Sequence, residues 1–290
     1  MLPWSQALER DAYALGGQRF AQLRAERVAS IDSTNSALLR QAQAGDTAPQ
    51  ILWADSQTAG RGRMGRVWQD AQAQAGGDNS AAATPRRSLS FSIGLTLAPP
   101  DWSGLSLVVG LAAAQVLGTG IGLKWPNDLC LRQAAGGYAK LGGILLETQA
   151  LPSLQTGTER WLVIGLGLNL QGVPAAADLR APAVDLVTAL PGAQAADFWA
   201  DVPALCSRLV LAILQAVLRF EARGFAPFAA DFAARDVLLG HSVTTHSDGQ
   251  PALQGQALGV AADGSYQLRL ADGRVHGIHS AEISLRPAGA

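Results

Sequence analysis

Ser88 to Leu97 alternates without a break, with Leu89, Phe91, Ile93, Leu95 and Leu97 on one face of an extended segment and Ser88, Ser90, Ser92, Gly94 and Thr96 on the other. A period of two cannot wrap a helix, so the fold must contain a sheet with a face able to bury these apolar side chains. Shorter strands are expected at Ile51 to Ser56, Gly122 to Trp125, Asp128 to Arg132, Lys140 to Thr148 and Trp161 to Leu168. Asp128 to Arg132 and Lys140 to Thr148 flank the turn residues Ala134 to Gly137 and read as a hairpin.

Helices separate these strands. Ser33 or Thr34 caps a periodic run from Asn35 to Ala44 that Gly45 ends. The uncharged stretch Trp102 to Leu123 is long enough to span a bilayer, but its five glycines, Ser103, Ser106, Gln115 and Thr119, and its lack of a basic flank, argue for a buried helix followed by a strand. A long amphipathic helix is expected from Asp197 to Ala222, with Leu205, Leu209, Ile213, Val217 and Phe220 on its inner face and Gly224 closing it, and a second helix runs on to Ala234. Ala71 to Thr84 is low in complexity and reads as a mobile surface loop without chemistry. From Val237 onward, short β segments are punctuated by Asp248-Gly249, Asp263-Gly264 and Asp272-Gly273, so a small all-β domain should close the chain. The division expected is an N-terminal extension over 1–29, a main domain over 30–235 and the β domain over 236–290.

Composition removes several function classes. With 48% hydrophobic and 16% charged residues among 290, the chain can bury a sizeable core. With 22 Lys+Arg against 23 Asp+Glu it has no global field to hold a polyanion or an anionic membrane. Cys130 and Cys206 lie far apart without metal-ligand spacing, which argues against disulfides or structural zinc and fits a reducing cytoplasm. The first ten residues carry neither a basic n-region nor an apolar h-region, so no secretory signal is expected.

Four constellations can carry chemistry. Thr58 to Arg66 directly follows a strand and interleaves Gly60, Gly62 and Gly65 with Arg61, Arg63 and Arg66: close-approaching amides and planar cations that suit a phosphate or carboxylate, or else a solvated basic loop or a single-stranded nucleic-acid patch. Lys140 enters an apolar strand, where it either snorkels outward or meets a buried anion. Lys124-Trp125-Pro126-Asn127-Asp128 is a Pro-fixed break that presents Asn and Asp together, either to orient a metal-bound nucleotide or simply as an Asx turn. Asn169 ends the apolar run from Val163 and reads as a strand terminator or a ligand contact. All four histidines lie in the β tail and no Ser/His/Asp triad or Cys/His pair is legible, so nucleophilic catalysis by the protein is not the natural reading.

Taken in order, Asp32-Ser33-Thr34-Asn35, the segment from Gln57 through Gly60-Arg61-Gly62-Arg63-Met64-Gly65-Arg66 to Trp68, Lys124 to Asp128, Lys140-Leu141-Gly142-Gly143-Ile144-Leu145 with Glu147, and Gly165 to Asn169 resemble the biotin protein ligases. Glu282 to Arg286 in the tail extends the match from about Ser30 to Arg286. The resemblance implies an α+β protein: a mixed β-sheet catalytic domain like that of the class II aminoacyl-tRNA synthetases, over 30–235, with an SH3-like C-terminal barrel. It also implies a two-step reaction in which biotin and ATP with Mg2+ give biotinyl-5'-AMP, which a lysine of the biotin carboxyl carrier protein of acetyl-CoA carboxylase then attacks. Such a site needs positioning and charge stabilisation rather than a nucleophile.

Carried onto this chain, the resemblance assigns Ser33, Thr34 and Asn35 to the ring end of biotin, with Gln57 beside them. Gly60, Arg61, Gly62 and Arg63 would close over biotin, with Lys140 and Gly143 completing its site. Arg61, Arg63 and Arg66 would reach the adenylate, and Trp68 would pack near the nucleotide. Lys124 and Asn127 would lie by the phosphates and Asp128 by magnesium, with Asn169 on the adenosine side. Lys140 and Arg63 are the expected catalytic groups, Lys140 on the biotin carboxylate and α-phosphate and Arg63 on the reactive anhydride. Arg286 would assist ATP binding or acceptor docking. The connection from Gln69 to Arg87 looks longer than the family needs. Members of the family can pair edge to edge, so a homodimer is open, whereas about 30 residues before Ser33 are too few for the repressor domain of some relatives, and no DNA binding is expected.

Two rivals stand beside this reading. A lipoate or octanoate ligase would share the fold and the lysine, but the Ser33-Thr34-Asn35 start and the Arg/Gly loop point to biotin. A non-enzymatic nucleic-acid module using Arg61, Arg63, Arg66, Arg86 and Arg87 would bind polynucleotide in a salt-dependent way, indifferent to biotin.

Overall fold

The computed structural model describes residues 3–68, 88–133, 137–150, 159–173, 182–190, 201–246 and 252–279, the isolated positions 192, 196 and 198, and the backbone alone of 284–287. Ala71 to Thr84, most of the Ala134 to Gly137 turn, Asp248-Gly249, Arg86, Arg87, Glu282 and the side chain of Arg286 lie outside the described residues.

Helix α1 (Trp4–Gly16) leads through a 3-10 turn into β1 (Arg24–Val28), followed by α2 (Thr34–Gln43), β2 (Gln50–Ala54), β3 (Ser88–Leu97), α3 (Leu105–Leu117), β4 (Ile121–Lys124), β5 (Asp128–Arg132), β6 (Tyr138–Gln149) and β7 (Arg160–Asn169). The seven strands form one mixed sheet in the order β1-β2-β3-β7-β6-β5-β4. Only β1 and β2 run parallel within it.

The alternation that defines β3 is realised residue for residue, but both faces of the strand are covered. Leu89, Phe91, Ile93, Leu95 and Leu97 enter the main core, where each buried apolar side chain contributes about 1.5–3 kcal/mol. That core is closed by α3 and by α5 (Val202–Arg223), which pack on each other. On the opposite face, Ser88, Ser90 and Ser92 are buried as well, beneath α2 and the segment that follows β2.

The segment read as an N-terminal extension is woven into the sheet instead. β1 pairs with β2 over Arg24 to Val28, and Leu8, Ala12 and Phe20 lie in the core. Trp4 packs edge-on against Trp53 at 5.2 Å and donates from Nε1 to Pro203 O at 3.1 Å. β1 itself is mostly charged, with Ala25 and Val28 its apolar residues, and an edge strand with a single neighbour carries little periodicity for the sequence to show.

α5 begins at Val202 rather than Asp197, because Asp201 caps it by accepting from Ala204 N at 2.8 Å and Pro203 sits in its first turn. By length and composition it is the one helix among the described residues able to cross a membrane, and its buried face from Leu205 to Phe220 belongs to the core. α4 (Leu186–Ala189) precedes it, and α6 (Ala229–Arg235) follows. The tail forms an antiparallel five-stranded sheet in the order β11-β10-β9-β8-β12, from β8 (Ser242–His246), β9 (Gln254–Val260), β10 (Tyr266–Leu270), β11 (Val275–Ile278) and β12 (Ser284–Pro287).

The two sheets meet at Asp236. Val237 N donates to Leu123 O at 2.9 Å, and Trp125 packs on Tyr266 at 5.6 Å. The buried Asp236 carboxylate accepts from Tyr266 Oη at 2.7 Å and from Leu238 N at 2.9 Å. Burial raises its pKa above the ordinary carboxylate range, while the Tyr266 and Leu238 donors pull the other way. With a folded pKa above the unfolded one, stability falls as pH climbs through that interval. Tyr266→Phe removes a donor to the ionised form and lifts Asp236 further. The variant should lose about 1–2 kcal/mol by urea denaturation, with a larger loss at about pH 7 than at about pH 4. An equal loss at both values would show that Tyr266 does not act on the carboxylate.

Candidate active site

The serine face of β3 and the glycines of β7 form a floor. Ser92 pairs with Gly165, Ser90 with Gly167 and Ser88 with Asn169, and β6 continues the rows with Leu145 opposite Gly165 and Gly143 opposite Gly167. The row through Ser90, Gly167 and Gly143 ends on Asp128 and Lys124. No large side chain rises from the middle of this face, so neighbouring elements come down onto backbone. Asn35, in the first turn of α2, lies over Gly165, where a Cβ would overlap its Oδ1. The Trp68 indole lies over Gly167, where a Cβ would sit 2.5 Å from the ring.

At the α2 end the site is neutral and hydrogen-bonded. Ser33 caps the helix, its Oγ accepting from Ser36 N. Thr34 N donates to Gln57 Oε1 at 2.8 Å, and Thr34 Oγ1 lies 3.2 Å from the same oxygen. Ser92 Oγ stands 2.7 Å from Thr34 Oγ1 and 2.6 Å from Asn35 Oδ1. Asn35 Nδ2 donates to Glu147 Oε2 at 2.9 Å and Leu145 O at 3.3 Å.

The Arg/Gly segment folds as a tight hairpin. Trp68 N donates to Gly60 O at 2.9 Å and Gly62 N to Arg66 O at 2.7 Å, around a 3-10 turn over Arg63–Gly65. At its tip Met64 has φ 57°, a left-handed conformation that costs a non-glycine residue about 1–2 kcal/mol, and the hairpin bonds hold it there. The three arginines diverge. Arg61 turns to Glu147, Nη2 to Oε1 at 2.7 Å, and Arg63 turns inward, Nη1 to Asn127 Oδ1 at 3.3 Å, while Arg66 is exposed.

The opposite end is charged. Lys140 Nζ lies 2.7 Å from Asp128 Oδ1 and Lys124 Nζ 3.6 Å from Asp128 Oδ2. Burial works to raise the Asp128 carboxyl, but Lys140, Lys124 and Arg63 outweigh it and hold the pKa below the usual range. Burial draws the Arg63 guanidinium below its ordinary value, with Asp128 opposing and Arg66 adding to the effect. Three cations therefore surround one carboxylate, an excess of positive charge suited to an anion.

The turn after a cis Trp125-Pro126 bond shapes this end. Asn127 Nδ2 donates to Ile144 O at 2.8 Å, and Ile144 N to Asn127 O at 3.0 Å. Lys140 is fixed by its backbone, N to Pro182 O at 2.7 Å and O from Val184 N at 2.9 Å, and Asn169 Nδ2 holds the same segment through Val184 O at 3.2 Å.

Most of the expected residues thus fall into one place, with Arg66 exposed at its rim and the side chain of Arg286 outside the described residues. Asp128, expected by magnesium, carries Lys140 on Oδ1 and Lys124 on Oδ2. No group of three His, Cys, Asp or Glu gathers for a metal among the described residues. Asn169 contacts backbone from the 182–184 segment. Ser92 was missed, although three alternating serines opposite an apolar face were the available signal.

A profile of the Biotin/lipoate A/B protein ligase family matches residues 28–169. A biotin–[acetyl-CoA-carboxylase] ligase of Mycobacterium tuberculosis is 33% identical over 281 residues, covering 92% of this chain and 89% of that protein. The chain belongs to the biotin protein ligase family. A second such ligase, from Paracoccus denitrificans, is 30% identical over 252 residues, 85% of this chain and 95% of that protein. The fold is that of the biotin protein ligase from Aquifex aeolicus solved in complex with biotin and ATP, with a TM-score of 0.66 at 23% identity over 91% of this chain and 99% of that one.

The bare glycine at 167 is what seats Trp68. Gly167→Ala should lift the indole off the floor, giving a red-shifted, more quenchable tryptophan emission with the fold retained. The change should vanish in a Trp68→Phe background; persistence there would place the disturbed indole elsewhere.

Proposed function

We propose that the chain joins biotin to a lysine of the biotin carboxyl carrier protein of acetyl-CoA carboxylase, using ATP. A biotin carboxylate oxygen attacks the α-phosphorus of ATP, which enters as its magnesium complex, and pyrophosphate leaves. The acceptor lysine amine then attacks the acyl carbon of biotinyl-5'-AMP, forming the amide and releasing AMP. The observation that carries this reading is the polarity of the floor: a neutral hydrogen-bonding end at Thr34, Asn35 and Gln57, and a cationic end at Lys140, Lys124 and Arg63 around Asp128.

In this assignment the biotin ring system lies at the neutral end and its carboxylate reaches Lys140. Both anions must approach each other before attack, and fixed cations offset their repulsion and the charge that builds on the phosphate oxygens. Asp128 keeps the two lysines in place. Arg61 and Arg63 close over the adenylate with the hairpin, Gly60 and Gly62 allowing the approach, and Arg63 retains the mixed anhydride. Trp68, Arg66 and Asn169 line the nucleotide side. The main sheet takes the part of a class II aminoacyl-tRNA synthetase-like catalytic layer and the tail that of an SH3-like barrel. A cytoplasmic site of action suits two buried, unbridged cysteines.

Biotin-dependent exchange of labelled pyrophosphate into ATP tests the adenylating half. Exchange is expected with biotin and not with lipoate or octanoate, and a folded protein inert with every acid would overturn the assignment. Lys140→Ala should fold and lose about 100-fold or more in exchange, since one fixed donor of this kind contributes about that much. Arg63→Gly should still form the adenylate but release it, so that lysines of bystander proteins become biotinylated. Unchanged selectivity would remove Arg63 from the retaining role.

A further inference from the structure

Ser92 sits at the junction of the neutral hydrogen bonds with its side chain 0% exposed, and proton counting fixes the direction of each bond around it. A serine hydroxyl has one proton to give. Asn35 Nδ2 faces the two acceptors Glu147 Oε2 and Leu145 O, so the other carboxamide atom, 2.6 Å from Ser92 Oγ, is the oxygen and can only accept. The Ser92 proton therefore goes to Asn35. Thr34 Oγ1, with Ser92 Oγ at 2.7 Å and Gln57 Oε1 at 3.2 Å, has only acceptors among these neighbours, so it donates its one proton to the nearer, Ser92 Oγ. The lone pairs of Thr34 Oγ1, both unused by these neighbours, are what it offers a ligand.

We infer that Ser92 is a positioning residue that fixes Thr34 as a hydrogen-bond acceptor, so that this end of the site selects a ligand carrying an N–H donor, the ureido N–H of biotin. The inference rests on the biotin reading and adds a residue that acts through Thr34 without touching the reacting atoms. A ligand with an alkyl or dithiolane end has no N–H to give and would leave the acceptor unpaired, which costs affinity. Gly165 opposite Ser92 is what allows Asn35 to lie low enough to accept.

The test is steady-state exchange kinetics on the full chain. Ser92→Ala should raise KM for biotin about tenfold, with kcat at saturating biotin and KM for ATP changed less than about twofold. Ser92→Thr, which keeps a hydroxyl, should recover part of the loss. The double variant Thr34→Ala/Ser92→Ala should match Thr34→Ala alone, because a residue acting through Thr34 has nothing left to position. An unchanged biotin KM in Ser92→Ala, a parallel loss in kcat and in KM for ATP, or additive effects in the double variant would each overturn the proposal while the wild-type exchange still stands. Wild-type protein without biotin-dependent exchange would instead overturn the ligase reading and this inference with it. Should Ser92→Ala fail to fold, Ser92→Cys, of similar volume and with a weak donor, carries the same expectation.

Discussion

Where β3 and β7 cross the middle of the sheet, one face carries only Ser90, Ser92, Gly165 and Gly167, and the chemistry of the molecule depends on that bareness. Backbone left open in a sheet has to be covered, because buried polar groups without partners are costly. α2 covers one side through a small apolar cluster of its own, Ala37, Leu38 and Ala42 against Leu52, Trp161 and Val163. The Arg/Gly hairpin covers the other, with Trp68 seated on Gly167. A larger residue at either glycine would lift its cover, so the two glycines set the height at which Asn35 and Trp68 stand. The main core on the far face makes the sheet stiff enough to hold that height.

Charge follows the same division. Lys124, Lys140 and Asp128 come from three adjacent strands, so their spacing is set by the ladder rather than by flexible loops. Arg63 arrives from the hairpin and completes an excess of positive charge at one end of the floor. The other end is neutral, its donors and acceptors almost wholly turned on one another. Glu147 joins the two halves, accepting from Asn35 at the neutral end and from Arg61 of the hairpin. The hairpin and the first turn of α2 are thus tied together through one carboxylate.

Much of this was legible in one dimension. The ten-residue alternation of β3, the Ser33 cap of α2, the β5-β6 hairpin and the Gly224 stop of α5 are local properties, and the structure realises each. The short motifs from Ser33 to Asn169 were visible as a series and fall at one site. What the sequence obscured had no local signature. β1 is an edge strand whose place depends on β2, and its residues Arg24 to Val28 carry no alternation to betray it. The ion pairs of Asp128 were hidden too, because only the β4-β5-β6 ladder brings Lys124 and Lys140 onto its two oxygens. Ser92 looked like half of a strand period.

The sequence by itself determined most of the elements after residue 30, their order and the family, because periodicity, caps, glycines and a spaced series of motifs are properties of neighbouring residues. Tertiary structure alone decided which polar atoms meet. It turned Arg63 toward Asn127 and Arg61 toward Glu147, placed Asn35 on Gly165, and buried the Ser88, Ser90 and Ser92 face as a floor rather than a solvent surface. The physical reason is register: pairing of β3, β7, β6 and β5 across more than seventy residues of chain fixes distances of a few ångströms, and no local preference encodes that pairing.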